Sequence, residues 1–151
     1  MKKALFFMSI VTIAILSLCP MSCTTQNART IDSIPFTVAN NYFAIVDVDS
    51  ISHYKITSEE EFNKLFNMAA HMGKDGTPTP IDFSKQYAIA VVLPTSNHQT
   101  DITDINISPK TDGTACFNYS IKTDSAEMSY SIRPMALVII DKKYDIPIRF
   151  L

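Results

Sequence analysis

The sequence contains few of the residues from which catalytic, metal and repeat motifs are built. It has three glycines and no tryptophan, which argues against lectin-like or propeller repeats. His53, His71 and His98 are far apart and are not paired with a cysteine or glutamate at the spacing of metal ligands. The motifs His-Glu-x-x-His, Cys-x-x-Cys and Gly-x-Ser-x-Gly are absent from the sequence. We therefore expect no catalytic residues, no metal and no cofactor. A zinc site from scattered histidines and a Cys116 nucleophile with a distant histidine are the minor alternatives.

Basic charge is also scarce. The chain has 13 Lys and Arg against 15 Asp and Glu, and its formal net charge is −2. It lacks the basic surplus with which proteins bind the phosphates of nucleic acids, and it has no polybasic segment for anionic lipids. Nucleic acid is therefore excluded as a partner, and any attachment to a membrane has to come from another source.

The N-terminus has the pattern of an export signal. Lys2 and Lys3 precede an apolar run over residues 4–18, which is shorter than the roughly 20 residues that a spanning helix needs. Pro20 interrupts the run, and Met21-Ser22-Cys23 follows. A small residue directly before a cysteine at this place resembles the lipobox of bacterial lipoproteins, in which the cysteine is acylated and the bond before it is cut.

This resemblance implies that residues 1–22 are removed and that Cys23 carries the lipid, so the membrane is a partner through a covalent anchor. Cys19 is the weaker candidate, since the bulky Leu18 precedes it. A cleaved secretory signal without lipid and an uncleaved anchor are the alternatives. Two lysines and no acid leave with the signal, so the formal charge becomes −4. Cys116 then remains alone, and we expect a buried thiol without a disulfide.

The predicted mature chain has a tether followed by one domain. Residues 23–34 combine the lipidated cysteine with a polar, aperiodic segment that is typical of a flexible tether. Residues 35–151 have the length of one domain. Residues 24–28 lack the acidic cluster that resembles a surface-export tag, which favours the periplasmic face of the outer membrane.

One helix is predicted in this domain. Ser58-Glu59-Glu60-Glu61 matches a capping box, and three acids in the first turn suit the helix dipole. An apolar stripe at helical spacing follows, and Gly73 is a natural C-terminal cap. The helix is expected over residues 58–72, and its stripe consists of Phe62, Leu65, Phe66 and Ala69.

The rest of the domain has the pattern of β-strands. Turn signals fall at Asp112-Gly113, at residues 123–125 and at Asp145. We predict an α+β fold, with the helix packed on a five- to six-stranded, mainly antiparallel sheet or partly open barrel. The predicted strands are 36–49 with a break near Asn40-Asn41, 53–56, 86–93, 100–108 with a bulge near Ile102, 114–122, 127–133, 135–140 and 146–151.

Residues 80–92 begin with Pro-Ile-Asp-Phe-Ser-Lys and continue into an apolar strand. This stretch resembles the C-terminal domain of the protease-complex accessory protein PrcB. The similarity extends over residues 56–151 and includes the segments 133–140 and 146–150. The chain departs from that family at residues 94–100, where a Gly-Gly hairpin is usual. Residues 41–43 and 72–83 also resemble segments of small Gram-negative lipoproteins. The resemblance implies a non-catalytic accessory domain that docks on or stabilises another envelope protein, such as a protease.

Two features are candidates for binding a partner. Tyr42 and Phe43 form an aromatic pair beside two asparagines, and aromatic residues often anchor interfaces. The polar loop predicted at residues 94–100 contains Asn97 and His98, and loops on a rigid sheet are common recognition sites. The plainer alternatives are one aromatic ring in the core with the other exposed, and an ordinary solvated turn.

The sequence therefore favours a lipid-anchored, non-enzymatic envelope protein that binds another envelope protein. The alternative is an envelope lipoprotein that binds a small ligand or glycan. The first hypothesis predicts a filled core with a flat or edge-strand surface. The second predicts a pocket of roughly 300 Å³ or more between the helix and the sheet.

Overall fold

The computed structural model describes residues 32–69 and 76–151. The predicted signal peptide, Cys23, most of the tether and the predicted helix end at Gly73 lie outside the described residues. Within them the chain forms a helix α1 (Glu59–Leu65), a short 3-10 helix (Lys142–Tyr144) and a series of strands. The strands are β1 (Thr37–Val38), β2 (Tyr42–Ala44), β3 (Ser52–Ile56), β4 (Phe66–Met68), β5 (Gln86–Val92), β6 (Ser96–Pro109), β7 (Ala115–Ile132), β8 (Met135–Asp141) and β9 (Ile148–Phe150).

The strands form three sheets instead of the predicted single sheet of five or six strands. The central sheet has the order β1-β8-β5-β3, a second sheet has the order β6-β7-β9, and β2 pairs with β4. The pairs are antiparallel except β7 with β9, which is parallel. The sheets do not close into a barrel. The α+β class is confirmed, since one short helix accompanies mainly antiparallel sheets.

Strand β5 lies at the centre of the molecule because both of its faces are covered. Side chains alternate along a strand, and those of β5 enter two different hydrophobic cores. Tyr87, Ile89 and Val91 belong to the sheet-side core, which also contains Ile107 and Phe117 from β6 and β7. The helix-side core contains Ala88, Ala90, Val92, Ile56, Phe62 and Phe66. The central sheet therefore separates the β6–β7–β9 sheet from the layer of α1, β2 and β4.

Helix α1 begins as predicted and ends early. The Ser58 hydroxyl accepts from the Glu61 amide at 3.2 Å, and the Glu61 carboxylate accepts from the Thr57 amide at 3.0 Å. The predicted end at residue 72 is wrong, because Phe66 is extended (φ −134°, ψ 152°) and pairs with Ala44. Pairing with β2 and burial of the Phe66 ring, 1% exposed, outweigh the weak preference of these residues for a helix.

The ribbon of β6 and β7 replaces two predicted features. The loop predicted at residues 94–100 belongs to β6 from Ser96 onward, and β7 continues through the predicted turn at residues 123–125. Between the pairs His98↔Glu127 and Thr100↔Thr123, β6 advances two residues while β7 advances four. The turn signals therefore produce a β-bulge in a continuous strand.

The strand irregularities predicted elsewhere are confirmed. The register of β6 against β7 shifts between Thr103 and Asn106, where Asp104 has a φ of 53°. The break between β1 and β2 falls at Asn41, which has a φ of 64°. Asparagine and aspartate tolerate this left-handed conformation better than most residues.

The folded part begins before residue 35, the predicted domain boundary. Ile34, assigned above to the tether, is 2% exposed and belongs to the sheet-side core. Its amide donates to the carbonyl oxygen of Ile107 at 2.8 Å. The chain therefore enters the domain beside β6.

Candidate binding groove

A cavity of about 630 Å³ lies between α1, the β2–β4 sheet and the connector that precedes β5. This aromatic groove is lined by rings, prolines, amides and two carboxylates. The lining residues are Tyr42, Glu59, Phe62, Asn63, Phe66, Asn67, Met68, Thr77, Pro78, Pro80, Ile81, Asp82, Phe83 and Ser84. Its volume lies within the range of small-molecule sites.

Phe62 organises the aromatic side of the groove. Its ring meets that of Tyr42 edge to face, with centroids 5.2 Å apart. The rings of Phe66 and Phe83 lie at 5.3 and 5.7 Å from it. These separations are typical of favourable aromatic pairs. The four rings therefore form one packed wall.

The opposite wall is fixed by hydrogen bonds to the connector. The Tyr42 hydroxyl donates to the Thr79 carbonyl oxygen at 2.7 Å, and burial raises the pKa of Tyr42 so that the phenol keeps its proton. The Asn41 amide group donates to the Thr77 carbonyl oxygen at 3.0 Å. The backbone amide of Asn40 donates to the Thr79 hydroxyl at 3.0 Å. The connector is thus held against the start of β2 in the shape that forms the groove.

The charges that line the groove are negative. Glu59 and Asp82 line it, and no lysine or arginine is among its described lining residues. Hydrogen bonds from the Ser84 hydroxyl and amide lower the pKa of Asp82, so its carboxylate stays ionised. Lys85 Nζ lies 3.4 Å from that carboxylate on the exposed side. The groove offers aromatic surface and hydrogen-bond acceptors, a combination suited to binding.

The four residues proposed from the sequence do not form one site. Tyr42 lines the groove, but Phe43 points to the other face of β2, opposite Asn67, and is 45% exposed. Asn97 and His98 lie on β6, in the layer on the other side of the central sheet. Among the described residues no hydrogen bond or ring contact joins the two pairs. The Tyr42 ring therefore packs and the Phe43 ring is exposed, and a role of the pair in binding a partner stays a prediction.

The His98 ring is held by the bulge of β7. Its Nδ1 lies 3.1 Å from the Asp124 carbonyl oxygen, and because a carbonyl only accepts, Nδ1 is the donor. Its Nε2 lies 3.9 Å from a Glu127 carboxylate oxygen. His98 therefore connects the two strands across the irregular part of the ribbon.

The sequence patterns do not indicate Phe83, Asn63 and Asn67 as lining residues, and they place Phe62 and Phe66 in a helix stripe. Phe62 and Phe66 do face inward, and the strand that begins at Phe66 forms one side of the groove. Phe83 lies within the segment that carries the family resemblance. That position was the one sequence signal that could have pointed to the groove.

The sequence also makes predictions about metal ligands and cysteines. No three His, Cys, Asp or Glu side chains come together there in a way that could hold a metal ion. Cys116 is a free cysteine and is 6% exposed, which confirms the predicted buried thiol. In residues 32–69 and 76–151 no helix has the length and apolar character needed to cross a membrane.

Comparisons with known proteins give no match. No protein-family model matches the chain, and neither the curated proteins nor the solved structures contain one with significant similarity to it.

Proposed function

We propose that this chain is a lipid-anchored, non-enzymatic accessory protein of the cell envelope that binds a segment of another envelope protein in the aromatic groove. The observation that carries the proposal is the exposed rim of the groove, where Met68 is 64% exposed beside the ring-walled cavity of about 630 Å³. This open groove takes the place of the flat or edge-strand surface that the sequence predicted for a protein-binding domain. The lipobox-like sequence at Cys23 supports the anchor. The resemblance of residues 56–151 to the PrcB C-terminal domain supports an accessory role, with a protease as one kind of partner.

The rim of the groove favours a protein segment as the occupant. Met68 lines the groove and is 64% exposed, and Asn63 and Asn67 are also exposed. A flexible, apolar methionine is suited to an interface that adapts to its partner. A bound segment that extends over the rim would cover Met68, which a ligand seated deep in the groove would leave in water.

The alternative function is the binding of a small ligand or glycan by the same lipoprotein. The groove meets the criterion that the sequence set for this function, since its volume is about 630 Å³ against the roughly 300 Å³ required. The amides beside the rings supply donors as well as acceptors. The two functions differ in what occupies the groove, so one experiment can separate them.

The test places a photoreactive benzoylphenylalanine at Asn63 in the full-length lipoprotein and irradiates intact envelope vesicles. The matched control carries the same group at Thr111, which is exposed in the turn between β6 and β7. We expect a discrete protein adduct from position 63 and none from position 111. Cys23→Ser should move the protein from the membrane fraction to the soluble fraction, which tests the anchor separately.

Two results would count against a protein partner. One is the absence of an adduct at position 63 in vesicles that hold the intact protein. The other is native mass spectrometry of the membrane-extracted protein in which the wild type carries a small-molecule adduct and Asn63→Trp does not. The second result would establish the small-ligand alternative.

A further inference from the structure

Strand β3 is the open edge of the central sheet. All five of its residues pair with β5 in an unbroken antiparallel register, and among residues 32–69 and 76–151 no strand lies on its other side. In antiparallel pairs, alternate residues direct both backbone groups away from the partner. At least two residues of β3 therefore direct an N–H and a C=O outward, and no described residue bonds to them.

The other edges of the two larger sheets carry features that discourage pairing. Strand β1 has two residues and β9 has three. Strand β9 covers only Ala115–Phe117 of β7, and the uncovered remainder of β7 contains the extra residues of two register shifts. Strand β6 has three register shifts against β7. On the outer side of β6, the Ile107 carbonyl oxygen accepts a hydrogen bond from the Ile34 amide. Short, bulged or covered edges are how proteins prevent unwanted strand pairing. Strand β3 has neither a bulge nor a covering strand.

A second cavity, of about 370 Å³, lies in front of this edge. The edge cleft is bounded on one side by α1, which contributes Lys64 and Leu65, and it is lined by residues of β3 that include Tyr54. A helix beside an open strand edge leaves the space that an added strand requires.

The charges around the edge cleft differ in sign from those of the aromatic groove. Lys55, Lys64 and Glu61 line it, and Lys55 Nζ is paired with Asp145 at 2.5 Å. The Glu61 carboxylate is turned back to the Thr57 amide at 3.0 Å. Lys64 Nζ pairs with Glu60 in a largely exposed contact, which is easily exchanged for another carboxylate. Lys64 is thus the positive group of the cleft that is available to an acidic side chain.

We infer that the edge of β3 is a second interaction site, to which an extended segment of another protein adds as a strand with an acidic side chain beside Lys64. The backbone groups of β3 supply the hydrogen bonds, and Leu65 supplies apolar contact on the helix side. This site is independent of the aromatic groove and of the function proposed for it.

The probe is the peptide Thr-Val-Thr-Glu-Thr-Val, in which two valines and the glutamate share one face of a strand. It is titrated into the isotope-labelled domain, with amide chemical shifts and amide exchange as the measurements. We expect shifts and slowed exchange at Ser52–Ile56 and along α1. The Lys64→Glu variant should bind the peptide about threefold to tenfold more weakly. Two further peptides carry proline at the second or at the third position. Successive residues direct their N–H groups to opposite edges of a strand, so one of these two peptides loses a donor that faces β3 and should not bind.

Each other outcome overturns the inference. Shifts confined to the aromatic groove would place the peptide at the wrong site, and the absence of shifts at millimolar peptide would exclude strand addition. A Lys64→Glu variant that binds as tightly as the wild type would remove the acidic requirement. Slowed exchange at β3 that depends on protein concentration without peptide would make a second copy of the chain the occupant.

Discussion

Phe66 and Phe43 lie on the two strands of the β2–β4 sheet, and their removal should have unequal effects. Phe66 is 1% exposed, and Phe43 is 45% exposed. Burying a phenylalanine side chain contributes about 1.5–3 kcal/mol by transfer from water, and truncation adds the cost of the cavity. Because Ala88 and Ala90 of the same core are too small to fill that cavity, Phe66→Ala should lower the free energy of unfolding by about 3–5 kcal/mol. Phe43→Ala should lower it by less than about 1 kcal/mol.

Urea titrations of the wild type and both variants measure this difference. The chain has no tryptophan, so circular dichroism and tyrosine fluorescence report unfolding. A loss of about 3–5 kcal/mol is a large part of the roughly 6–18 kcal/mol expected for a domain of about 120 residues. Equal losses in the two variants, or a Phe66→Ala loss below about 1 kcal/mol, would refute the assignment of opposite faces to the two rings.

Two further predictions concern Ser58 and His53. Ser58→Ala removes the cap of α1 and should cost about 1 kcal/mol in urea unfolding, whereas Ser58→Asp should preserve stability; equal losses would show that the cap is unimportant. Burial lowers the pKa of His53, so the unfolded chain binds the proton more readily. The part of the free energy of unfolding that neutral His53 contributes should be fully present above about pH 6.5. It should decrease as the pH falls from there through the lower pKa of the folded state. His53→Gln should make the urea midpoint depend less on pH in this range. A variant with the same pH dependence as the wild type would contradict the role of His53.

The sequence predicts strands well where a local pattern and burial agree. The continuous apolar run of β5 predicts a strand covered on both faces, and its residues Tyr87 and Ala88 do enter opposite cores. The N-terminal cap of α1 is equally local, because Ser58 and Glu61 satisfy neighbouring amides.

The errors arise where a distant segment decides the local conformation. Phe66 continues a helical stripe in sequence, but its pairing with Ala44 makes it a strand. Turn residues at 123–125 would reverse an isolated chain, yet pairing with β6 keeps β7 continuous and converts the signal into a bulge. The aromatic groove depends on the same long-range pairing, which is why no local motif revealed it.

The position of the predicted anchor is compatible with binding in the aromatic groove. Ile34 enters the sheet-side core, whereas the groove lies on the helix side of the central sheet. Residues 24–31 connect Cys23 to the first described residues, and at about 3.5 Å per residue they span at most roughly 30 Å. The packed layers are about 10 Å apart. The groove and the point where the chain enters the domain therefore lie on opposite sides of the central sheet. Attachment through Cys23 therefore need not cover the groove, and Cys23→Ser should release the protein without altering the contacts that form it.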